Sequence, residues 1–99
     1  MKNPRFDASD SLLDARIAAT FDLHGMTRAE AEAALRSFLL ASARAHAGKV
    51  VHVITGKGKG SAKGSVLGPA AVSVLKARGA VVAEWDKDVD GGGFLVKLR

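Results

Sequence analysis

The chain has 99 residues, of which 47% are hydrophobic and 25% are charged, and its net charge is +5. This length suits one domain with a modest core, and the lack of cysteine excludes disulfides and thiolate metal sites. The basic balance favours nucleic acid or another anionic partner. Because no signal peptide and no apolar run of membrane-spanning length is visible, we expect a cytoplasmic protein without membrane contact.

Breaker residues and hydrophobic periodicity divide the chain into elements. Residues 1–10 are polar and without a period, which predicts a flexible leader before a single domain over residues 11–99. The expected elements, in chain order, are helical turns at Ser11–Ala18, a strand at Thr20–Leu23, a helix from a capping box at Thr27–Glu30 to Ala47–Gly48, a strand at Lys49–Thr55, a loop at Gly56–Ser65, a helix with Pro69 in its first turn that ends at Gly79, and strands at Val81–Trp85 and Phe94–Leu98.

The order β-α-β-α-β-β predicts an α/β fold. Right-handed crossovers between successive parallel strands place both helices on one face, which gives a two-layer sandwich with a four-stranded mixed sheet. The last two strands, joined by a short turn, should be antiparallel. In this arrangement we expect Val53 and Phe38 to be buried.

Polar segments follow each of the first three strands. If these strands run in the same direction, their carboxyl ends meet at one edge of the sheet, which is the usual ligand site in open α/β sheets. This edge would bring together Asp22 with His24, the segment Gly56–Gly60, and the segment Asp86–Asp90.

Asp22 and His24 are the candidate catalytic pair. They are two residues apart at a strand end, so their side chains can point the same way, and a carboxylate that orients an imidazole suits proton transfer. The alternative, which the spacing leaves open, is that Asp22 satisfies backbone donors in the turn and His24 caps the next helix.

The glycine- and lysine-rich loop is the candidate phosphate-binding segment. Glycines allow backbone N–H groups to approach a phosphate, and lysines add charge. Neither the P-loop pattern nor the dinucleotide pattern G-x-G-x-x-G is matched, which disfavours a nucleotide-binding enzyme. A basic loop without a ligand is the alternative. The candidate binding residues are Thr55, Gly56, Lys57, Gly58, Lys59 and Lys63.

The other polar residues have simpler interpretations. Glu84, Asp86, Asp88 and Asp90 alternate around a turn, which is typical of a solvated hairpin rather than of a divalent-cation site. His46 and His52 have no partner at ligand spacing, and His52, inside a strand, is interpreted as structural. We therefore expect neither a metal ion nor a cofactor.

Three short motifs resemble those of the Smr (small MutS-related) domain family. Phe21–Thr27 resembles the opening Leu-Asp-Leu-His-Gly motif, Val53–Gly58 resembles the second motif, and Gly91–Leu98 resembles the closing glycine-rich turn and strand. Val66–Val72 is similar to the start of the second helix of the family. The resemblance covers Thr20–Leu98 and indicates a stand-alone, short form of the domain.

The resemblance implies a fold like that of the C-terminal domain of bacterial translation initiation factor three, nucleic-acid binding and, in several branches, endonuclease activity. It assigns cleavage to Asp22 and His24, and phosphate contact to Gly56, Lys57 and Gly58. The leading hypothesis is a monomeric, metal-independent endonuclease that nicks DNA or cleaves RNA. The alternatives are a non-catalytic binding module and a protein-interaction adaptor, and a ribosome and a repair complex remain open as partners.

Overall fold

Two helices cover one face of a four-stranded sheet in the computed structural model. The structure describes residues 16–56, 62–88 and 92–99, and for residues 62–65 it describes the backbone alone. The elements are β1 (Ile17–Asp22), α1 (Arg28–Ala45), β2 (Val50–Ile54), α2 (Ala62–Ala77), β3 (Val82–Lys87) and β4 (Gly93–Leu98). The predicted α/β class and the order β-α-β-α-β-β are confirmed. The expected leader at residues 1–10 lies outside the described residues. Neither helix in the described ranges is long and apolar enough to cross a bilayer.

The strands lie in the order β1-β2-β4-β3. β1 and β2 are parallel, whereas β4 is antiparallel to both β2 and β3. β1, β2 and β3 therefore run in the same direction, and their carboxyl ends meet at one edge, here called the carboxyl edge. β4 enters the sheet at this edge and lies between β2 and β3. This position of β4 was not predicted from the sequence.

A capping box starts α1, as its sequence predicts. The Glu30 N–H donates to Oγ1 of Thr27 at 3.2 Å, and the Thr27 N–H donates to Oε1 of Glu30 at 2.9 Å. These bonds satisfy two donors that the first turn would otherwise leave free, and such a cap stabilises a helix by about 1 kcal/mol. The helix ends at Ala45, with His46 as its C-cap.

The core lies between the helices and the inner face of the sheet. Apolar side chains from α1, α2, β2, β3 and β4 form one buried cluster, and its fully buried members include Leu35, Leu39, Val51, Val53, Leu67, Leu75 and Val96. The predicted burial of Val53 is confirmed. The predicted burial of Phe38 is wrong, since this side chain is only half-buried: it stacks on Phe21 of β1, the strand at the edge of the sheet, with ring centroids 4.8 Å apart.

The first strand begins earlier than its sequence predicts. Ile17 and Ala18 belong to β1, so the prediction of helical turns at Ser11–Ala18 is wrong for these two residues, and residues 11–15 lie outside the described residues. Ile17 pairs with Val50 of β2. Pairing with a buried neighbouring strand outweighs a weak local preference for helix.

The second helix also begins earlier. α2 starts at Ala62, so the predicted loop is wrong for residues 62–65, and Pro69 lies inside the helix rather than in its first turn. A proline there removes one backbone hydrogen bond, at a cost of about 3 kcal/mol. Burial of Leu67, Ala71 and Leu75 offsets this cost, since these side chains complete the core.

Replacement of Val53 by aspartate tests this core. Val53 is 0% exposed in the middle of β2, so an unpaired carboxylate there costs several kcal/mol, which is comparable to the whole stability of a small domain. We expect V53D to be unfolded at 25 °C in circular dichroism. V66D introduces the same change on α2 at a residue that is 39% exposed, and it should change stability by less than about 0.5 kcal/mol. A folded V53D protein would show that β2 is misplaced.

Candidate functional site

The turn after β1 is held at the carboxyl edge by its backbone. The Leu23 N–H donates to the Ile54 carbonyl at 2.7 Å, and the Met26 N–H donates to the Leu23 carbonyl at 3.0 Å. Gly25 has a φ of +87°, in the left-handed region that favours glycine. The Leu23 side chain is fully buried, so this turn is anchored in the core.

Asp22 fixes the position of His24 through the backbone. Its Oδ1 accepts a hydrogen bond from the His24 N–H at 2.8 Å, and both side chains are exposed. Within the described residues, the His24 ring makes no hydrogen bond. The bond to the backbone matches the turn-forming alternative that the sequence left open, and it also presents the imidazole to solvent at the edge. The catalytic roles of Asp22 and His24 stay predictions.

The segment after β2 is fastened to the residue before β4. The N–H groups of Thr55 and Gly56 both donate to the Gly92 carbonyl at 2.9 Å, and the Thr55 hydroxyl donates to the same carbonyl at 3.3 Å. Thr55 is only 3% exposed, and Gly56 has a φ of +91°. These contacts fasten the end of β2 to the residue that precedes β4, and the phosphate contacts expected of Thr55 and Gly56 stay predictions.

The lysines of the predicted binding loop follow directly. Lys57, Gly58 and Lys59 lie outside the described residues, and so does the side chain of Lys63, whose backbone is in the first turn of α2. The amino terminus of this 16-residue helix follows β2 at the carboxyl edge. A helix amino terminus carries partial positive charge and unpaired N–H groups, which attract anions.

A histidine–carboxylate pair that the sequence analysis missed lies on the face of the sheet opposite the helices, here called the distal face. The His52 Nε2 and the Asp88 Oδ2 are 2.9 Å apart, and their side chains are 26% and 14% exposed. Val50, two residues before His52 on the same face, forms a small buried cluster with Leu95 of β4. His52 therefore projects beside apolar neighbours and reaches a carboxylate that follows β3.

Gly93 makes the His52–Asp88 contact possible. Asp88 follows β3 and must reach across β4 to touch a residue of β2. It does so beside Gly93, whose carbonyl accepts the Asp88 N–H at 3.0 Å. A Cβ atom on Gly93 would lie 3.0 Å from Asp88 Oδ2 and 2.3 Å from the Val53 carbonyl oxygen. The missing side chain thus leaves room for both the Asp88 carboxylate and the β2 backbone.

The acidic segment after β3 is not uniformly solvated. Asp86 is exposed and its Oδ1 accepts the Lys87 N–H at 2.8 Å, as a solvated hairpin would have it. The interpretation of this segment as a solvated hairpin is wrong for Asp88, which contacts His52. Asp90 lies outside the described residues. In the described part of the chain, no three His, Asp or Glu side chains are grouped so that they could hold a metal ion.

Comparison with known protein families agrees with this geometry. The Smr domain family model matches residues 21–98, which include the turn after β1, the segment after β2 and the whole of β4. The chain belongs to the Smr domain family. The match confirms the resemblance seen in the sequence motifs. Smr domains form a nucleic-acid-binding, nuclease-like family. A comparison with curated proteins gave no match.

Replacement of Gly93 by alanine tests the close approach at the carboxyl edge of this Smr domain. The added Cβ would meet the backbone of β2, which cannot move without breaking the sheet, so we expect a destabilisation of about 1–3 kcal/mol. G68A is the matched control, since Gly68 lies in α2 with nothing within 4 Å of an added Cβ. It should stabilise the protein by up to about 1 kcal/mol. Equal melting temperatures for G93A and wild type would contradict this account of β4.

Proposed function

We propose that this Smr domain binds nucleic acid at the carboxyl edge and cleaves it as a metal-independent endonuclease, with His24 as a proton-transfer group. One observation carries the proposal. The turn fixed by Asp22 presents His24 at the edge where the lysine-containing loop leaves β2 and where α2 begins. An imidazole therefore lies at the same edge as the end of β2, after which the sequence suited to a phosphate group begins.

Binding is assigned to the loop and to the helix amino terminus together. The hydrogen bonds to Gly92 fasten Thr55 and Gly56 at the carboxyl edge, and the next seven residues of the sequence contain Lys57, Lys59 and Lys63. Positive side chains and a helix amino terminus both favour a phosphodiester, whatever its base sequence. We expect Lys57 and Lys59 also to stabilise the charge that develops on the phosphate during cleavage.

RNA is the substrate that this set of side chains serves best. Its 2′-OH can act as the nucleophile, so the protein needs to supply only proton transfer and charge stabilisation. Histidine suits proton transfer because its ordinary pKa lies near neutral pH. Asp22 is then a positioning residue, because its carboxylate holds the backbone of His24 rather than its ring.

A non-catalytic nucleic-acid-binding module is the second candidate. It is favoured by the same hydrogen bond, since a carboxylate that accepts a backbone N–H in a turn has a structural role without any catalysis. In that case the carboxyl edge holds the phosphate backbone through the loop, and His24 only contributes to the turn. Binding and cleavage measured on the same variants distinguish the two candidates.

Removal of two loop lysines tests the binding surface. K57A/K59A should weaken binding to all nucleic-acid sequences about equally and should flatten the salt dependence of log K by about 1–2 units of slope. The control is K49A/K76A, which removes the same charge from two exposed lysines near the opposite edge, before β2 and in the last turn of α2. Fluorescence anisotropy at several salt concentrations measures both. A larger effect of the control pair would place the binding surface elsewhere.

Variants of the turn after β1 test the chemistry. H24A should keep its fold and its affinity for RNA while cleavage falls by about 10²–10⁴-fold, the usual contribution of general acid–base catalysis. D22N should also cleave more slowly, because it removes the charge from the oxygen that accepts the His24 N–H and so weakens this hydrogen bond.

Cleavage of structured RNA and of supercoiled plasmid should be measured with and without EDTA, on preparations whose melting temperatures are known. H46A, at the C-cap of α1, is the control and should cleave like wild type. Loss of wild-type cleavage in EDTA would contradict metal independence. A wild-type protein that binds RNA but cuts neither substrate would favour the non-catalytic module.

A further inference from the structure

We infer that His52, held by Asp88, is a second proton-transfer residue of the same site and acts as its general base. The inference rests on the proposed cleavage of RNA and adds to it a residue from the middle of a strand. It follows from three observations: the hydrogen bond to Asp88, the register of β1 against β2, and the room that Gly93 leaves beside the pair.

Strand register places His52 close to Asp22. Asp22 pairs with Ile54, and His52 precedes Ile54 by two residues, so His52 and Asp22 lie on the same face of adjacent strands. With strands about 4.8 Å apart and a rise of about 3.3 Å per residue, their Cα atoms are about 8 Å apart. His24 follows Asp22 by two residues in the turn, so both histidines lie toward the same edge of the sheet.

The Asp88 contact directs the His52 ring toward the carboxyl edge. Asp88 lies at the level of Gly93, because its N–H donates to the Gly93 carbonyl, and Gly93 in turn pairs with Ile54. The His52 ring is therefore directed along its strand toward the carboxyl edge, the end where His24 lies. Its side chain is 26% exposed, so a bound strand can reach it.

Asp88 suits His52 to the role of base. A carboxylate that accepts the Nε2–H fixes the tautomer and stabilises the imidazolium that forms when the other nitrogen takes a proton. The other nitrogen, Nδ1, makes no hydrogen bond to the described residues. It is therefore the atom that would take the proton from the nucleophile.

Two histidines complete the transesterification of RNA. His52 Nδ1 removes the proton from the 2′-OH, and the 2′-oxygen forms a bond to phosphorus as the bond from phosphorus to the 5′-oxygen breaks. His24, in its protonated form, gives a proton to the leaving 5′-oxygen. The products are a 2′,3′-cyclic phosphate and a 5′-OH end, with no other reactant. His46, the remaining histidine, caps α1 near the opposite edge of the sheet.

A substrate whose leaving group needs no proton distinguishes the general acid, His24, from the general base, His52. The substrates are an RNA oligonucleotide with one cleavable linkage and its analogue in which sulfur replaces the bridging 5′-oxygen of that linkage. H24Q should cleave the first about 10²–10⁴-fold more slowly than wild type and recover most of that loss with the sulfur analogue. H52Q should be slowed by a similar factor on both substrates, because both need the base.

The variants are chosen to keep the fold. Glutamine at position 52 can still donate an N–H to Asp88 but cannot transfer a proton, and H46Q is the matched control. D88N should lower kcat on both substrates and leave KM unchanged, as expected for a positioning residue. Melting temperatures and RNA affinities are measured on the same preparations.

Any one of the following four outcomes overturns the inference. If H52Q cleaves both substrates like wild type, His52 is not the base, while the proposed function stands on His24. If the activity of H52Q falls only in proportion to its folded fraction, the His52–Asp88 pair is a structural contact. If H52Q recovers with the sulfur analogue, His52 is the acid instead. If wild type binds RNA and cleaves neither substrate, the proposed function and the inference fail together.

Discussion

Gly93 stands where β4 enters the sheet, and any Cβ atom there would lie 2.3 Å from the carbonyl oxygen of Val53. Much of the carboxyl edge depends on this close approach. It lets β4 run against β2 from its first residue, and this places the carbonyl of Gly92 where the N–H groups of Thr55 and Gly56 can bond to it. It also leaves room for Asp88 to reach His52. A side chain at this one position would disturb the start of the loop and the histidine pair together.

The carboxyl edge combines local and distant contacts. The turn at Asp22 and His24 is local, since a carboxylate two residues earlier in the chain accepts the backbone N–H. The loop start and the His52 contact join residues that are 37 and 36 positions apart. Since the distant contacts depend on β4, the edge is complete only when β4 is paired in the sheet. A substitution in β4 can therefore alter the edge without touching His24.

The sequence predicts well what local chemistry decides. The capping box at Thr27 and Glu30, the order of the elements and the burial of Val53 all follow from patterns within a few residues. The sequence predicts too late a start for α2, because proline is typical of a first helical turn. In the structure the burial of an apolar face outweighs that preference, and Pro69 lies inside the helix. The His52–Asp88 pair could not be predicted, because it requires the strand order β1-β2-β4-β3, and no spacing in the sequence encodes that order.

The central claim is that nucleic acid lies on the carboxyl edge, and amide chemical shifts test it most directly. The protein would be titrated with 2′-O-methyl RNA, which keeps the phosphates but lacks the nucleophile and so is not consumed. The account predicts that the largest shift changes fall on His24, His52, Gly56 and Gly92, at or near the carboxyl edge, and that His46 and Lys49 at the opposite edge change little. Changes concentrated around His46 and Lys49 would contradict it.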